Sequence, residues 1–255
     1  MDVPLLAFDP DPESFLVPGP PQLVEPMPDR AVLCFFPEVL DWWQQLGKLR
    51  PIGGFSRELG GRAIYVYENP DEGNGEFVAV FHPGVGAPLA VHCLEQAIAA
   101  GASRFAVCGG AGSLSPGFAK DAVLVIDEAV RDEGTSYHYA PATRTIRFDR
   151  HAVATALRVL EEAGVPSSQG KSWTTDASYR ETRQRIAERV AEGCVAVEME
   201  ASALAAVASF RGVTLSQFVY GGDDLTGDTW DARGWAGSPA RDRLVQLAIR
   251  VVQAL

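Results

Sequence analysis

An α/β fold, with a mostly parallel or mixed sheet covered by helices on both faces, is the class this sequence predicts. Three observations lead there. Apolar runs of strand length alternate with helical patterns from residue 31 onward. Two glycine-rich loops stand where a strand gives way to the next element. No internal repeat or low-complexity tract interrupts the 255 residues, so a single domain over 31–255 is expected behind an N-terminal arm.

The arm, residues 1–30, holds eight of the seventeen prolines: Pro4, Pro10, Pro12, Pro18, Pro20, Pro21, Pro26 and Pro28. Each lacks an N–H donor, so neither a helix nor a central strand fits. An extended segment over the domain or a neighbouring subunit is expected, with a partly disordered tail as the alternative. AVLCFF (31–36) then reads as a buried strand, and 37–49 as a helix entered through Pro37. Segments 63–69 and 76–82 flank DEGNG and read as a hairpin. HPGVGAP (82–88) leads into a helix over 89–101 that Gly101 closes. The strand 103–109 opens into the second glycine loop, 109–117. A strand at 122–130, helices at 151–164, 179–193 and 198–212, a strand at 213–222 and a helix at 241–255 complete the order.

Composition narrows the partners. Net charge is −11, with a pI near 4.8 and no basic stripe, so nucleic acid is excluded as a partner. Cys34, Cys93, Cys108 and Cys194 have no CxxC spacing and read as structural thiols of a reducing compartment. His82, His92, His138 and His151 form no metal-ligand spacing, so neither metal nor cofactor is expected. The opening MDVPLLAFDPDP lacks the basic region of a signal peptide, and no window reaches the ~18 apolar residues of a membrane span. A cytoplasmic protein without a membrane partner is the expectation.

Four segments place chemistry at the carboxyl ends of strands, where open α/β sheets bind ligands. Gly84-Val85-Gly86 and Gly109-Gly110-Ala111-Gly112 let backbone N–H groups approach a ligand, although each taken alone is more often a tight turn, and only two in succession make a site as common a reading. Glu198-Met199-Glu200 opens an apolar helix; one carboxylate is expected toward solvent or a partner and the other toward the ligand edge. A carboxylate there accepts hydrogen bonds from a vicinal diol and balances a cationic sugar. Asp223-Asp224, behind Gly221-Gly222, suits a general acid, because one carboxyl beside another has its pKa raised. Trp173, Trp230 and Trp235 are candidates to stack on a base, with packing or an interface as common a role, and His82 and His138 to reach a sugar 5′ group, although a lone histidine more commonly satisfies local structure.

In order and spacing these segments resemble the purine nucleoside and uridine phosphorylase family from about residue 30 to the end. VAVEMEASAL carries the resemblance, supported by FHPGVGAPLAVHCLEQAIAAGA, CGGAGSL, TTDASYRET and GGDDL. TTDASYRET and DDLTGDTW are most similar to the uridine-phosphorylase-like branch. The resemblance implies a three-layer α/β/α sandwich, a homo-oligomer (dimer, trimer or hexamer), and cleavage of a nucleoside's N-glycosidic bond with phosphate as co-substrate. It implies that Glu200 binds the ribose hydroxyls over Met199. Asp223, with Asp224 as its neighbour, protonates the leaving base. Gly109, Gly110 and Ala111 line the pocket with Glu198, Gly84 and Gly86. Tyr179 is retained beside the base, and Ser178 stands where an aromatic ring is usual.

The departures cluster on phosphate. Phe35-Phe36-Pro37-Glu38-Val39 stands in place of a GDPxR loop, Val107 in place of an arginine, and Gly110 in place of a threonine. Arg50 matches a third phosphate arginine, one lent by an adjacent subunit, since it precedes the Glu58-Leu59 segment. The Gln-x-Arg pair that reads uracil is not evident after Tyr179. Two alternatives therefore stand beside the phosphorylase: a nucleoside hydrolase using water, and a non-catalytic nucleoside-binding protein.

Overall fold

The computed structural model describes residues 3–56, 60–67, 77–234 and 239–255. The expected DEGNG turn, Glu58, Leu59 and Trp235 lie outside them. Eleven strands among the described residues form one mixed sheet. Its left half runs β1 (Gln22–Leu23), β3 (Leu49–Gly54), β4 (Ala63–Tyr67), β5 (Val78–Phe81) and β2 (Arg30–Cys34) into β6 (Arg104–Ser113). Its right half is β10 (Cys194–Glu198), β9 (Ser167–Thr175), β7 (Val123–Asp132) and β11 (Thr214–Asp224), with β8 (Thr145–Arg147) on β7. β11 pairs with both β7 and β6, so β6, β10, β9, β7 and β11 close on themselves as a five-strand ring.

Helices cover both faces, as the alternating pattern predicts. On one side α1 (Pro37–Gln45), α3 (Arg150–Glu162) and α6 (Ala240–Ala254) pack together over β2, β6 and β11. On the other α2 (Ala87–Ala99) meets α5 (Ala201–Arg211), while α4 (Arg183–Ala191) lies beside β10. The central strands are buried on both faces, which is why β2, β5 and β6 read as continuous apolar runs; Leu33, Phe81, Phe105 and Val107 are fully enclosed. Val107 is therefore core rather than pocket lining. All four cysteines are buried free thiols. Among the described residues no helix is long and apolar enough to cross a membrane.

The arm is extended after a short 3₁₀ turn at Pro4–Leu6 and pairs with the sheet edge through β1. It touches the body where Phe8 meets the Phe210 ring and where Arg211 Nη1 donates to the Pro12 carbonyl at 2.9 Å.

Several expected elements move. Gly109–Ser113 is not a loop but the continuation of β6, and Tyr220–Asp224 belongs to β11. Glycines keep that register because neighbours come close. A Cβ at Gly110 would stand 3.2 Å from the Tyr220 ring, and one at Gly109 3.4 Å from Phe35. Val197 and Glu198 end strand β10 rather than opening the helix, which starts at Ala201 with Glu200 as its N-cap residue. The helix expected over 179–193 is a 3₁₀ turn, Ser178–Arg180, followed by α4, capped at its start by the Thr182 hydroxyl.

Candidate active site

A cavity of about 840 Å³ opens at the ends of β2, β6, β10 and β11. Glu198, Met199 and Glu200 line it from the β10–α5 junction, Gly109, Gly110 and Ala111 from β6, and Asp223 from β11. Ser178 and Tyr179 line it from the 3₁₀ turn. Glu200 and Asp223 thus stand on one cavity wall system, although 22 residues and a helix separate them in the chain.

The first glycine loop serves Glu200 directly. Gly86, at φ 99°, donates its backbone N–H to Glu200 Oε1 at 2.6 Å. Gly84 lies behind it instead of in the cavity, at φ 86°, where a Cβ would stand 2.3 Å from Leu89. Glu198 does not face solvent, contrary to expectation; both glutamates are 6% exposed. Its Oε1 accepts from Ser172 Oγ (2.6 Å) and Thr174 Oγ1 (2.7 Å). Its Oε2 accepts from the N–H groups of Glu200 (2.7 Å) and Ala201 (2.6 Å). Four donors and the start of α5 hold this carboxylate in place, so it fixes the backbone of Glu200.

Burial and the neighbouring Glu198 charge push the Glu200 carboxyl up to about 8. Burial raises Glu198 as well, but its four donors oppose that, so Glu200 is the member of the pair that keeps its proton to higher pH.

At the other end, Asp223 Oδ2 accepts from the Trp230 indole N–H at 2.6 Å. Trp230, 64% exposed, lines the cavity and is, among the described residues, the tryptophan that reaches the site. Trp173 is a packing anchor, fully buried with Nε1 on Asp132 Oδ2 at 3.0 Å. Asp224 is not the partner that Asp223 was expected to have. It accepts from Thr226 and is ion-paired with Arg233; these donors overcome its burial and hold it below the usual carboxylate range. The carboxyl coupled to Asp223 is Glu181, which sequence reasoning missed. Burial first, then the Asp223 charge, pushes Glu181 up to about 7. It lies two residues past Tyr179, where a glutamine was sought, and allowing an acid for the amide would have found it.

The phosphate signals are sparse. Phe35 and Phe36, which stand in place of a GDPxR loop, face the cavity. Among the described residues Arg183 is the cationic side chain on the wall, paired with Asp228 at 3.6 Å. Arg50 is not brought to the cavity within one chain; it forms a two-pronged pair with Glu25 at 3.0 and 2.9 Å in a separate pocket under the arm. His82 also lies off the wall, its Nδ1 donating to the Cys34 carbonyl at 3.0 Å, and burial lowers its pKa so that the ring is neutral at pH 7. His138 is exposed on another turn.

Acidic groups at both ends of one glycine-walled cavity, at the strand ends of an α/β sheet, define an enzyme that takes a small polar substrate. The sequence matches the family model of the Phosphorylase superfamily over residues 29–253, and the chain belongs to that family, whose members are nucleoside-cleaving pentosyltransferases. Guanosine phosphorylase of Halorubrum lacusprofundi is 23% identical over 188 residues, covering 71% of this chain and 78% of that protein. The fold is shared with purine nucleoside phosphorylase from Toxoplasma gondii in complex with immucillin-H (TM-score 0.75, 17% identity, 94% and 96% of the two chains). It is also shared with uridine phosphorylase from Vibrio fischeri ES114 (TM-score 0.73, 18% identity, 90% and 92%).

Proposed function

We propose that this protein cleaves the N-glycosidic bond of a nucleoside by phosphorolysis, with Glu200 at the sugar and Asp223 at the base. The observation that carries the reading is the shared cavity. A carboxyl oriented by Gly86 and by the Glu198-braced backbone lies on the same wall system as a second carboxyl oriented by Trp230. The first accepts hydrogen bonds from the 2′ and 3′ hydroxyls and balances the positive charge that grows on the sugar as C1′–N stretches. The second, with its surroundings, supplies a hydrogen bond or proton to the departing heterocycle. Phosphate enters as co-substrate. Among the described residues Arg183 is the cationic side chain on the cavity wall that favours an anion, and Arg50 of a neighbouring copy is the further cation the reading admits. A homo-oligomer in the cytoplasm fits this reading and the four buried free thiols.

Incubation with inosine, guanosine, adenosine and uridine, with and without phosphate, tests it. Phosphate-dependent release of free base together with ribose 1-phosphate is expected. Asp223→Asn and Glu200→Gln should each lower kcat/KM by roughly 10²–10⁴-fold. Release that ignores phosphate would move the chain to the hydrolases. Binding without turnover would make it a nucleoside-binding protein.

A further inference from the structure

The base half of the cavity holds two carboxyls, and their surroundings differ. Asp223 Oδ2 is committed to the Trp230 indole N–H. Glu181 stands at the corner between the 3₁₀ turn and α4, half-buried, on the same cavity wall. Among the described residues no donor or cation engages its side chain. Neither Arg180, its neighbour in the chain, nor Arg183 pairs with it, and Arg183 is turned to Asp228. Glu198 and Glu200 line the cavity from the sugar side and add no positive charge. An acid so placed, beside a charge of its own sign, keeps its proton and presents an O–H to whatever fills the base half.

We propose that Glu181 is the proton-bearing catalytic acid of this site, delivering its proton to the departing heterocycle while the Trp230 indole holds the Asp223 carboxyl in place. Its carboxyl being pushed up to about 7 agrees with that placement. In the step, the C1′–N bond breaks with its electron pair going to the base nitrogen, and the Glu181 proton bonds to that base. A phosphate oxygen forms the new bond to C1′, and Glu181 is reprotonated from the attacking phosphate or from solvent. The proposal rests on the phosphorolytic reading and identifies which group of that site holds the proton.

The test compares wild type with Glu181→Gln on inosine, guanosine and uridine and on 7-methylguanosine, whose base already carries a positive charge and leaves without a proton. The ratio of wild-type kcat/KM on the neutral nucleosides to that on 7-methylguanosine, in which the ionisation of Glu200 cancels, is expected to fall as pH rises through about 7. Glu181→Gln should lose roughly 10²-fold in kcat on the neutral nucleosides and lose that descending limb, yet stay within about threefold of wild type on 7-methylguanosine. Equal losses on both substrate types, or an unchanged pH profile, would overturn the assignment. If the glutamine variant fails to fold, Glu181→Asp carries the test: the limb must shift with the shorter acid, and a limb left at its wild-type position overturns the proposal. Wild type inactive on every nucleoside would instead sink the phosphorolytic reading itself, so the two failures are distinguishable.

Discussion

Glu200 is a carboxyl buried for function at a cost in stability. In the unfolded chain it titrates as an ordinary glutamate near 4.5, and in the fold its pKa is raised to about 8. The folded state therefore binds more protons across that window, so this group's effect makes the protein less stable as pH climbs from about 4.5 to about 8. Glu200→Gln keeps the acceptor for Gly86 and removes the charge. We expect it to raise Tm at pH 8 by at least a few degrees, to flatten the decline of Tm above pH 5, and to abolish most activity; thermal melts across pH check the first two. A variant less stable than wild type at pH 8 would mean the buried pair is not strained. Binding moves in the opposite sense, since a diol donates to the ionised form. Nucleoside affinity should rise toward pH 8, with protons released on binding.

At the scale of elements, strands β6 and β11 do the positioning, and their glycines permit a spacing that larger residues forbid. Gly221 shows this most sharply: a Cβ there would stand 2.3 Å from the Ala119 carbonyl oxygen, a backbone atom that cannot step aside. The Gly221 N–H also donates to the Ala122 carbonyl at 2.9 Å, and its own carbonyl accepts from the Asp121 N–H at 3.0 Å, tying β11 to the entry of β7. Gly221→Ala should cost about 1–3 kcal/mol, read as an earlier denaturant midpoint, and displace Asp223 enough to lower kcat. An unchanged midpoint would show that the ring of strands has slack at this point. Legibility differed among the strands for a physical reason. The apolar strands β2, β5 and β6 announced themselves, whereas β9 (SSQGKSWTT) did not, because its Ser172 and Thr174 face the buried Glu198 as hydrogen-bond donors. A strand that solvates a buried carboxylate cannot also be apolar. Likewise β3 carries proline and two glycines at its register shift and reads as a loop.

For the molecule as a whole, the net charge of −11 sets the approach of a phosphate dianion. The cavity adds carboxyls to that field and offers Arg183 against them. Screening shortens the reach of the field from about 30 Å at 0.01 M salt to about 8 Å at 0.15 M. KM for phosphate should therefore fall as inert salt rises over that range, while KM for the uncharged nucleoside stays level. Steady-state kinetics at fixed pH, with chloride varied, measures both. A phosphate KM that climbs with salt would point to a compact cationic site, such as Arg50 of a neighbouring copy placed over the cavity.

Taken alone, the sequence determined the fold class, the order of helices and most core strands, and the two carboxylates that bound the cavity. Those features depend on local periodicity and on short contiguous motifs, which are written in neighbouring residues. Only the tertiary structure decided which groups stand beside them: Glu181 rather than Asp224 next to Asp223, the Trp230 indole on that carboxylate, and Glu198 turned inward as a brace. These relations join residues far apart in the chain through closure of β11 onto β6 and burial away from water, and no local pattern encodes either.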